Sequence, residues 1–290
     1  MLQDIGSFQS WENWDKKVLF WRTKSVTLTH HRNPLFDMDL GISNDTLSID
    51  TLHTLLLGVW QRWIVRVLWK FILRDAFHIH ATNDDERVEL GVAYIRVALW
   101  QWYAEFEKER PGAKMSKLNN LTSKMLGSKT KPLLKAKADE TKWLMFFTVS
   151  MMHRHPMESD PEYLPLLKAG EALIEYTRIM EDSGRNFDSE TAVRFRGHCL
   201  SHLKYAREGG VPFTPKHHLF LHLTWRSSKH GNPKYYSTFL DESLNGKIAA
   251  ICRSAHRSRL QERVFLKYAW GFSGGALSIR AIGKCKQYIA

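Results

Sequence analysis

The stretch that decides the fold runs from Leu52 to Phe77 and reads LHTLLLGVWQRWIVRVLWKFILRDAF. Apolar residues recur along it with helical spacing, at Leu55, Leu56, Val59, Trp60, Trp63, Val67 and Phe71. Basic residues recur every four positions and mark one polar face, at Arg62, Arg66, Lys70 and Arg74. The stretch therefore predicts a large amphipathic helix and not a membrane span, which needs about 20 predominantly apolar residues.

Helical patterns continue through most of the chain after this stretch. Asn83-Asp84-Asp85-Glu86 is typical of a helix start, because acidic groups are favoured at the positive end of a helix. Further helices are predicted near residues 133–153, 163–182, 189–208 and 241–268. A few short segments resemble strands, among them 46–50 and 235–239. We therefore expect a mainly α fold with a few short strands.

Two segments interrupt the helical pattern. Lys114 to Pro132 is basic and rich in Ser and Asn, which is typical either of a solvated, flexible linker or of an arm that contacts phosphates. Gly209-Gly210-Val211-Pro212 is the clearest hinge sequence in the chain.

The chain is strongly basic. Its 42 Lys and Arg exceed its 30 Asp and Glu by 12, and the sequence pI is about 9.6. Such a balance favours a polyanionic partner, for which nucleic acid is the usual candidate. A solvated basic surface without a dedicated partner is the alternative.

Cysteine content and the start of the sequence bear on the compartment. The three cysteines are far apart and form no CxxC pair, which argues against a disulfide framework and a cysteine zinc site. Residues 1–10 are polar and lack the apolar core of a signal peptide. We expect an intracellular protein in a reducing compartment, with no membrane partner.

Several enzyme classes lack their motifs here. The sequence contains no P-loop, no GxSxG and no dinucleotide-binding glycine pattern. The remaining candidates for catalytic or metal-binding residues are carboxylates and histidines.

Asp50 and His53 are the first candidate pair. They are three residues apart at the start of the first helix, so both side chains lie on one face within reach of a shared ligand. The alternative is a capping Asp beside an incidental His.

His217, His218 and His222 form a second cluster. His218 and His222 are four residues apart and could hold zinc on a helix, although no HExxH glutamate lies between them. Structural or DNA-facing histidines are the favoured interpretation.

Asp241 and Glu242 follow the strand-like run Tyr235–Phe239 and precede the last long helix. Asp241 or Ser243 could simply cap that helix. Carboxylates at such junctions in a basic, helical protein also suit two-metal phosphoryl transfer, in which acids from distant segments hold a pair of Mg²⁺ ions.

Two blocks of the sequence resemble conserved blocks of eukaryotic cut-and-paste transposases of the CACTA type. SIDTLHTLLLGV (48–59) is similar to the family's Asp-x-Leu-His segment with its following Leu-Gly. PKHHLFLHL (215–223), followed by DESLNG (241–246), is similar to the segment that carries the family's last acid. The match covers about a fifth of the chain.

The resemblance implies a partial RNase H-like core with a large helical insertion. Residues 1–50 would be the remnant of the core, 51–210 the insertion, and 211–290 the late segment with the last acid. By position, Asp50 and Glu242 would be catalytic and would bind Mg²⁺. His53, Asp241, His218 and His222 would support the motifs. The family's first acid has no counterpart here, so we expect an N-terminally truncated piece.

The function expected from the resemblance is DNA binding, with Mg²⁺-dependent strand cleavage and transfer when the catalytic set is complete. Four residues are predicted to contact phosphates: Lys216, Arg253, Arg257 and Arg259. Such a protein would be nuclear or nucleoid-associated, and a homo-oligomer is compatible with it. The alternative is a non-catalytic basic helical module that binds nucleic acid or a protein partner.

Overall fold

The computed structural model describes residues 48–254, 259–261, 263, 264 and 266. The chain divides into two compact units, Met1–Tyr236 and Ser237–Ala290. The boundary predicted at 210/211 therefore lies inside the first unit.

The described part of the first unit, residues 48–236, contains a π-helical segment, Leu52–Trp60, and six α-helices. The helices are α1 (Gln61–Leu73), α2 (Asp84–Glu109), α3 (Ala138–Arg154), α4 (Tyr163–Asp182), α5 (Ser189–Glu208) and α6 (Pro215–His230). Short 3₁₀ turns lie at Ser123–Met125 and Pro233–Tyr236. The second unit contains α7 (Phe239–Ser254). The prediction of a mainly α protein is confirmed.

The π-helical segment and α1 form the centre of the first unit. They are continuous in the chain and pack against α2, α3, α4 and α6. The indole of Trp63 is fully buried and donates from Nε1 to the Leu166 carbonyl, 3.0 Å away. Gly170 makes room for it, because a Cβ there would lie 2.3 Å from the Trp63 ring. On the predicted polar face Lys70 is buried, Arg62 and Arg66 are half-buried and Arg74 is exposed.

The burial of Lys70 requires its charge to be neutralised, because a buried unpaired charge is very costly. Lys70 Nζ lies 2.9 Å from Asp160 Oδ1 and 2.5 Å from Glu162 Oε2. Arg66 Nη2 lies 2.7 Å from the same Glu162 oxygen. Arg74 Nε lies 3.2 Å from Asp160 Oδ2. We call Arg66, Lys70, Arg74, Asp160 and Glu162 the core ion network.

The pKa values of the two acids reflect this network. Burial alone would raise the pKa of Asp160 and of Glu162, but the hydrogen bond from Lys70 and the neighbouring arginines outweigh it, and both are lowered. The carboxylates therefore stay ionised where the cations need them.

The basic segment 114–132 is anchored on the core. Leu118, Leu121 and Leu126 are buried, and Trp69 Nε1 donates to the Leu126 carbonyl at 3.0 Å. These contacts contradict the prediction of a flexible linker. The lysines of the segment therefore extend from a backbone that is packed against the core.

The expected strands are absent from the described residues, where an isolated bridge between Gly127 and Pro132 is the nearest approach to a sheet. Ser48–Asp50 is irregular, and residues 46–47 lie outside the described part. Residues 233–236 form a 3₁₀ turn and α7 begins at Phe239, so the strand predicted at 235–239 is wrong. The described chain thus contains no strand of an RNase H-like core.

Asp160→Asn tests the core ion network. We expect it to lower the free energy of unfolding by about 3 kcal/mol, because it leaves the buried Lys70 ammonium under-compensated. Glu107→Gln is the matched control: it breaks the exposed pair with Lys117 and should cost no more than about 1 kcal/mol. Urea unfolding of both variants measures the difference, and equal losses would contradict the structural role given to the network.

Candidate functional site

Block 48–59 of the resemblance meets the first part of the second block, 215–223, in the first unit, although more than 150 residues separate them. The rest of the second block, 241–246, lies in the second unit. The π-helical segment, which carries block 48–59, packs against α6, which carries block 215–223. Lys216 Nζ donates to the Leu57 carbonyl at 2.8 Å. Thr51 Oγ1 donates to the Pro233 carbonyl at 2.9 Å, just beyond α6. We call this contact the block seam.

Gly58 permits the close approach at the block seam. A Cβ at this position would lie 2.5 Å from Lys216 Cδ and 3.0 Å from the His53 carbonyl oxygen. A larger residue would displace the Lys216 stem, so the glycine lets the lysine cross the π-helical segment. Segments of π-helix are uncommon and frequently lie at functional sites.

Asp50 caps the π-helical segment and orients His53. Its Oδ1 accepts from the Leu52 N–H at 3.1 Å, and its Oδ2 accepts from the His53 N–H at 2.9 Å. The same Oδ2 lies 2.5 Å from His53 Nδ1. A proton on Nδ1 places the lone pair of the half-exposed imidazole on Nε2, the arrangement of a proton acceptor. Asp50 is therefore a capping residue, and a ligand shared by Asp50 and His53 stays a prediction.

Lys216 lies close to this pair. Burial and the positive charge of Arg62 lower the pKa of Lys216, and the Asp50 carboxylate opposes them. An ammonium has three donors, so the bond to Leu57 leaves capacity for a further acceptor such as a phosphate oxygen.

His217 stabilises the start of α6. Its Nδ1 accepts from the Thr214 N–H at 3.0 Å, and its ring stacks on Phe213 with centroids 4.4 Å apart. Burial lowers the pKa of His217 to about 4, against the opposing contact with Thr214 and with a further lowering by Arg62. His217 is a neutral structural residue.

His218 and His222 are joined directly. Their Nε2 atoms lie 2.8 Å apart on α6, so one ring donates to the other. Burial lowers the pKa of His222 to about 4, with smaller contributions from His218 and Arg226. Within the described residues, no three His, Cys, Asp or Glu side chains are grouped closely enough to hold a metal ion. The hydrogen bond between the two rings gives the pair a structural role, and zinc binding by it stays a prediction.

The remaining predicted residues lie in the second unit or outside the described part. α7 begins at Phe239, and the Glu242 N–H donates to the Thr238 carbonyl at 2.8 Å, so Asp241 and Glu242 fall within the first turn. Asp241 is therefore not the N-cap, and its side chain is outside the described part. Glu242, Arg253 and Arg259 are exposed. Arg257 lies outside the described residues, and pairing of Glu242 with Asp50 at a metal stays a prediction.

Three residues with a role in the structure were not predicted from the sequence. Asp160 and Glu162 belong to the core ion network, and Arg87 lines a cavity beside α1. The sequence did contain one indication of the two acids. A helix that is apolar on most sides and carries a cation every four residues needs acidic partners from another segment, and residues 158–162 include three acidic residues. The pairing itself could not be read from spacing, because about 90 residues separate Lys70 from Glu162.

Comparison with protein-family models, with curated proteins and with solved structures finds no match for this chain. No described helix is long and apolar enough to cross a membrane.

Buried neutral histidines predict acid sensitivity. Burial lowers the pKa of His202 to about 3, against the opposing contact with the Ala169 carbonyl, and His217 and His222 lie at about 4. The unfolded chain takes up these protons near pH 6.5, before the folded chain does. Stability is therefore full above about pH 6.5 and falls as the pH drops toward 4, by up to about 1.4 kcal/mol per pH unit for each group.

Urea unfolding at pH 7.5 and pH 5.0 measures this loss. His222→Gln removes one of the three groups and should reduce the difference between the two pH values. His80→Gln, at an exposed position, is the control and should leave the difference unchanged. Equal pH dependence in all three proteins would contradict the buried neutral state of His222.

Proposed function

We propose that this chain is a DNA-binding protein of transposase type, with strand cleavage by Mg²⁺ when its catalytic set is complete. The observation that supports it most is the block seam. Two blocks chosen by resemblance, and distant in sequence, pack on each other through Lys216 and Leu57. This contact brings the segment with Asp50 and His53 beside the segment with His218 and His222, as a shared site would require.

Charge supports the DNA-binding part of the proposal. Residues 237–290 carry nine Lys and Arg against three Asp and Glu, a net charge of +6. Arg253 and Arg259 are exposed there. Clustered cations supply the sequence-independent part of DNA affinity through contacts to phosphates.

The catalytic part of the proposal assigns Asp50 and Glu242 to Mg²⁺ and His53 to proton transfer. Glu242 is an exposed carboxylate, a ligand type that Mg²⁺ prefers. Asp50 already accepts three N–H contacts from Leu52 and His53, and the described residues hold no ready group of three metal ligands. We therefore derive no catalytic step through the ion. Mg²⁺, if held, would stabilise charge on the attacked phosphate.

A second candidate is a non-catalytic helical module that binds nucleic acid or a protein partner. It is favoured by the absence of strands from the described residues and by the capping role of Asp50.

The salt dependence of DNA affinity tests the proposed binding. Fluorescence anisotropy with a labelled duplex should give an association constant that falls linearly with salt on logarithmic axes, by about 0.9 in slope for each phosphate contact. Arg253→Gln with Arg259→Gln should reduce the slope by about 2, because two contacts are lost.

The matched control is Arg194→Gln with Lys204→Gln, two exposed cations on α5. It should change the slope much less. Absence of binding at low salt, or a slope that the Arg253 and Arg259 changes leave unaltered, would contradict the proposal. The first of these results would favour a protein partner.

A further inference from the structure

A cavity of about 370 Å³ lies beside α1, away from the block seam. Its lining combines α1, the start of α2 and the anchored basic segment, and the residues used below are Arg66, Lys70, Arg74, Arg87, Lys129 and Glu162. The volume falls in the range of small-molecule pockets, ~300–1,000 Å³.

The lining of the cavity is strongly positive. Five cationic side chains face two acids, Asp84 and Glu162. Three of the cations are already occupied, since Arg66, Lys70 and Arg74 are held by Glu162 and Asp160 in the core ion network. These ion pairs fix the side chains of Arg66, Lys70 and Arg74 in the cavity wall. The two remaining cations of the lining can bind a ligand.

Arg87 and Lys129 are those two cations. No ion pair or side-chain hydrogen bond joins either of them to another described residue. Lys129 is exposed, on the segment that Leu126 and Trp69 fix to the core. Its ammonium can therefore reach the cavity from a supported backbone.

Two buried nitrogens in the lining also lack an acceptor. Nε of Arg66 and Nε of Arg87 are both buried without a hydrogen-bond partner. A buried donor left unpaired costs free energy, and a guanidinium is well matched to an oxyanion that can accept several N–H groups. An anionic oxygen ligand would therefore be a suitable partner for the Arg87 guanidinium, which has none among the described residues.

We propose that this cavity binds a phosphoryl group, with Arg87 and Lys129 as the ligand-binding cations. The compact, multiply charged phosphate suits a site with several convergent cations. The phosphate has two sources, a free phosphate compound or a DNA backbone, and both present the same oxygens. The proposal does not depend on DNA binding by the second unit.

Binding of inorganic phosphate to the whole chain tests the site, measured by isothermal titration calorimetry at low salt. Arg87→Gln with Lys129→Gln should weaken binding at least about tenfold, because two charge-assisted contacts are lost. Arg194→Gln with Lys124→Gln is the control, since it removes the same charges from positions outside the cavity lining. Lys129→Glu alone, at an exposed position, gives the same test with little risk to folding.

A second titration with a short DNA duplex separates the two sources. If the Arg87 and Lys129 changes weaken phosphate binding and leave DNA affinity intact, the ligand is a free phosphate compound. If they weaken both, the cavity receives a backbone phosphate. Phosphate binding that is absent in the wild type, or equal in all variants, overturns the proposal, whatever the DNA result.

Discussion

The first unit depends on the ion pairs that the carboxylates of Asp160 and Glu162 form with the buried Lys70 ammonium. They allow a helix with a cation at every fourth position to lie among α2, α3, α4 and α6. Removal of either acid would leave Lys70 under-compensated in a site where its side chain is only 7% exposed. The apolar residues of the π-helical segment and α1 supply the hydrophobic free energy, and the two acids make that burial compatible with the arginines and the lysine.

This central position has consequences for both candidate sites. Because the π-helical segment is buried in the core and packs on α6, Lys216 can cross Gly58 to reach the Leu57 carbonyl. Because α1 is fixed by the core ion network, the same helix presents Arg66 to the basic cavity. The block seam and the cavity are thus both supported by one element. A change in that element should affect the two sites together, although they bind through different side chains.

Much of the helical fold could be predicted from the sequence, and much of the site could not. Asn83 caps α2 through the Glu86 N–H as expected, and 163–182 and 189–208 are helices within the predicted bounds, because capping and periodicity are local properties. The strand expected at 235–239 failed because aromatic residues with high strand propensity form a helical turn in the tertiary context, where Pro233 starts the turn. The core ion network and the cavity join segments up to about 90 residues apart, and spacing carries no information on such pairs. The contact between blocks 48–59 and 215–223 was not predicted from the sequence, because it joins segments more than 150 residues apart.

Mg²⁺-dependent nicking of supercoiled DNA tests the proposed function most directly. The chain, Asp50→Asn and Glu242→Gln are compared, with Glu190→Gln as control because Glu190 is likewise an exposed acid in the first turn of a helix. Because the family's first acid has no counterpart in this sequence, we expect only residual nicking by the wild type. Glu190→Gln should retain that activity, and Asp50→Asn and Glu242→Gln should each lower it at least about a hundredfold. Equal residual nicking in all four proteins would remove Asp50 and Glu242 from the mechanism and contradict the transposase-type proposal.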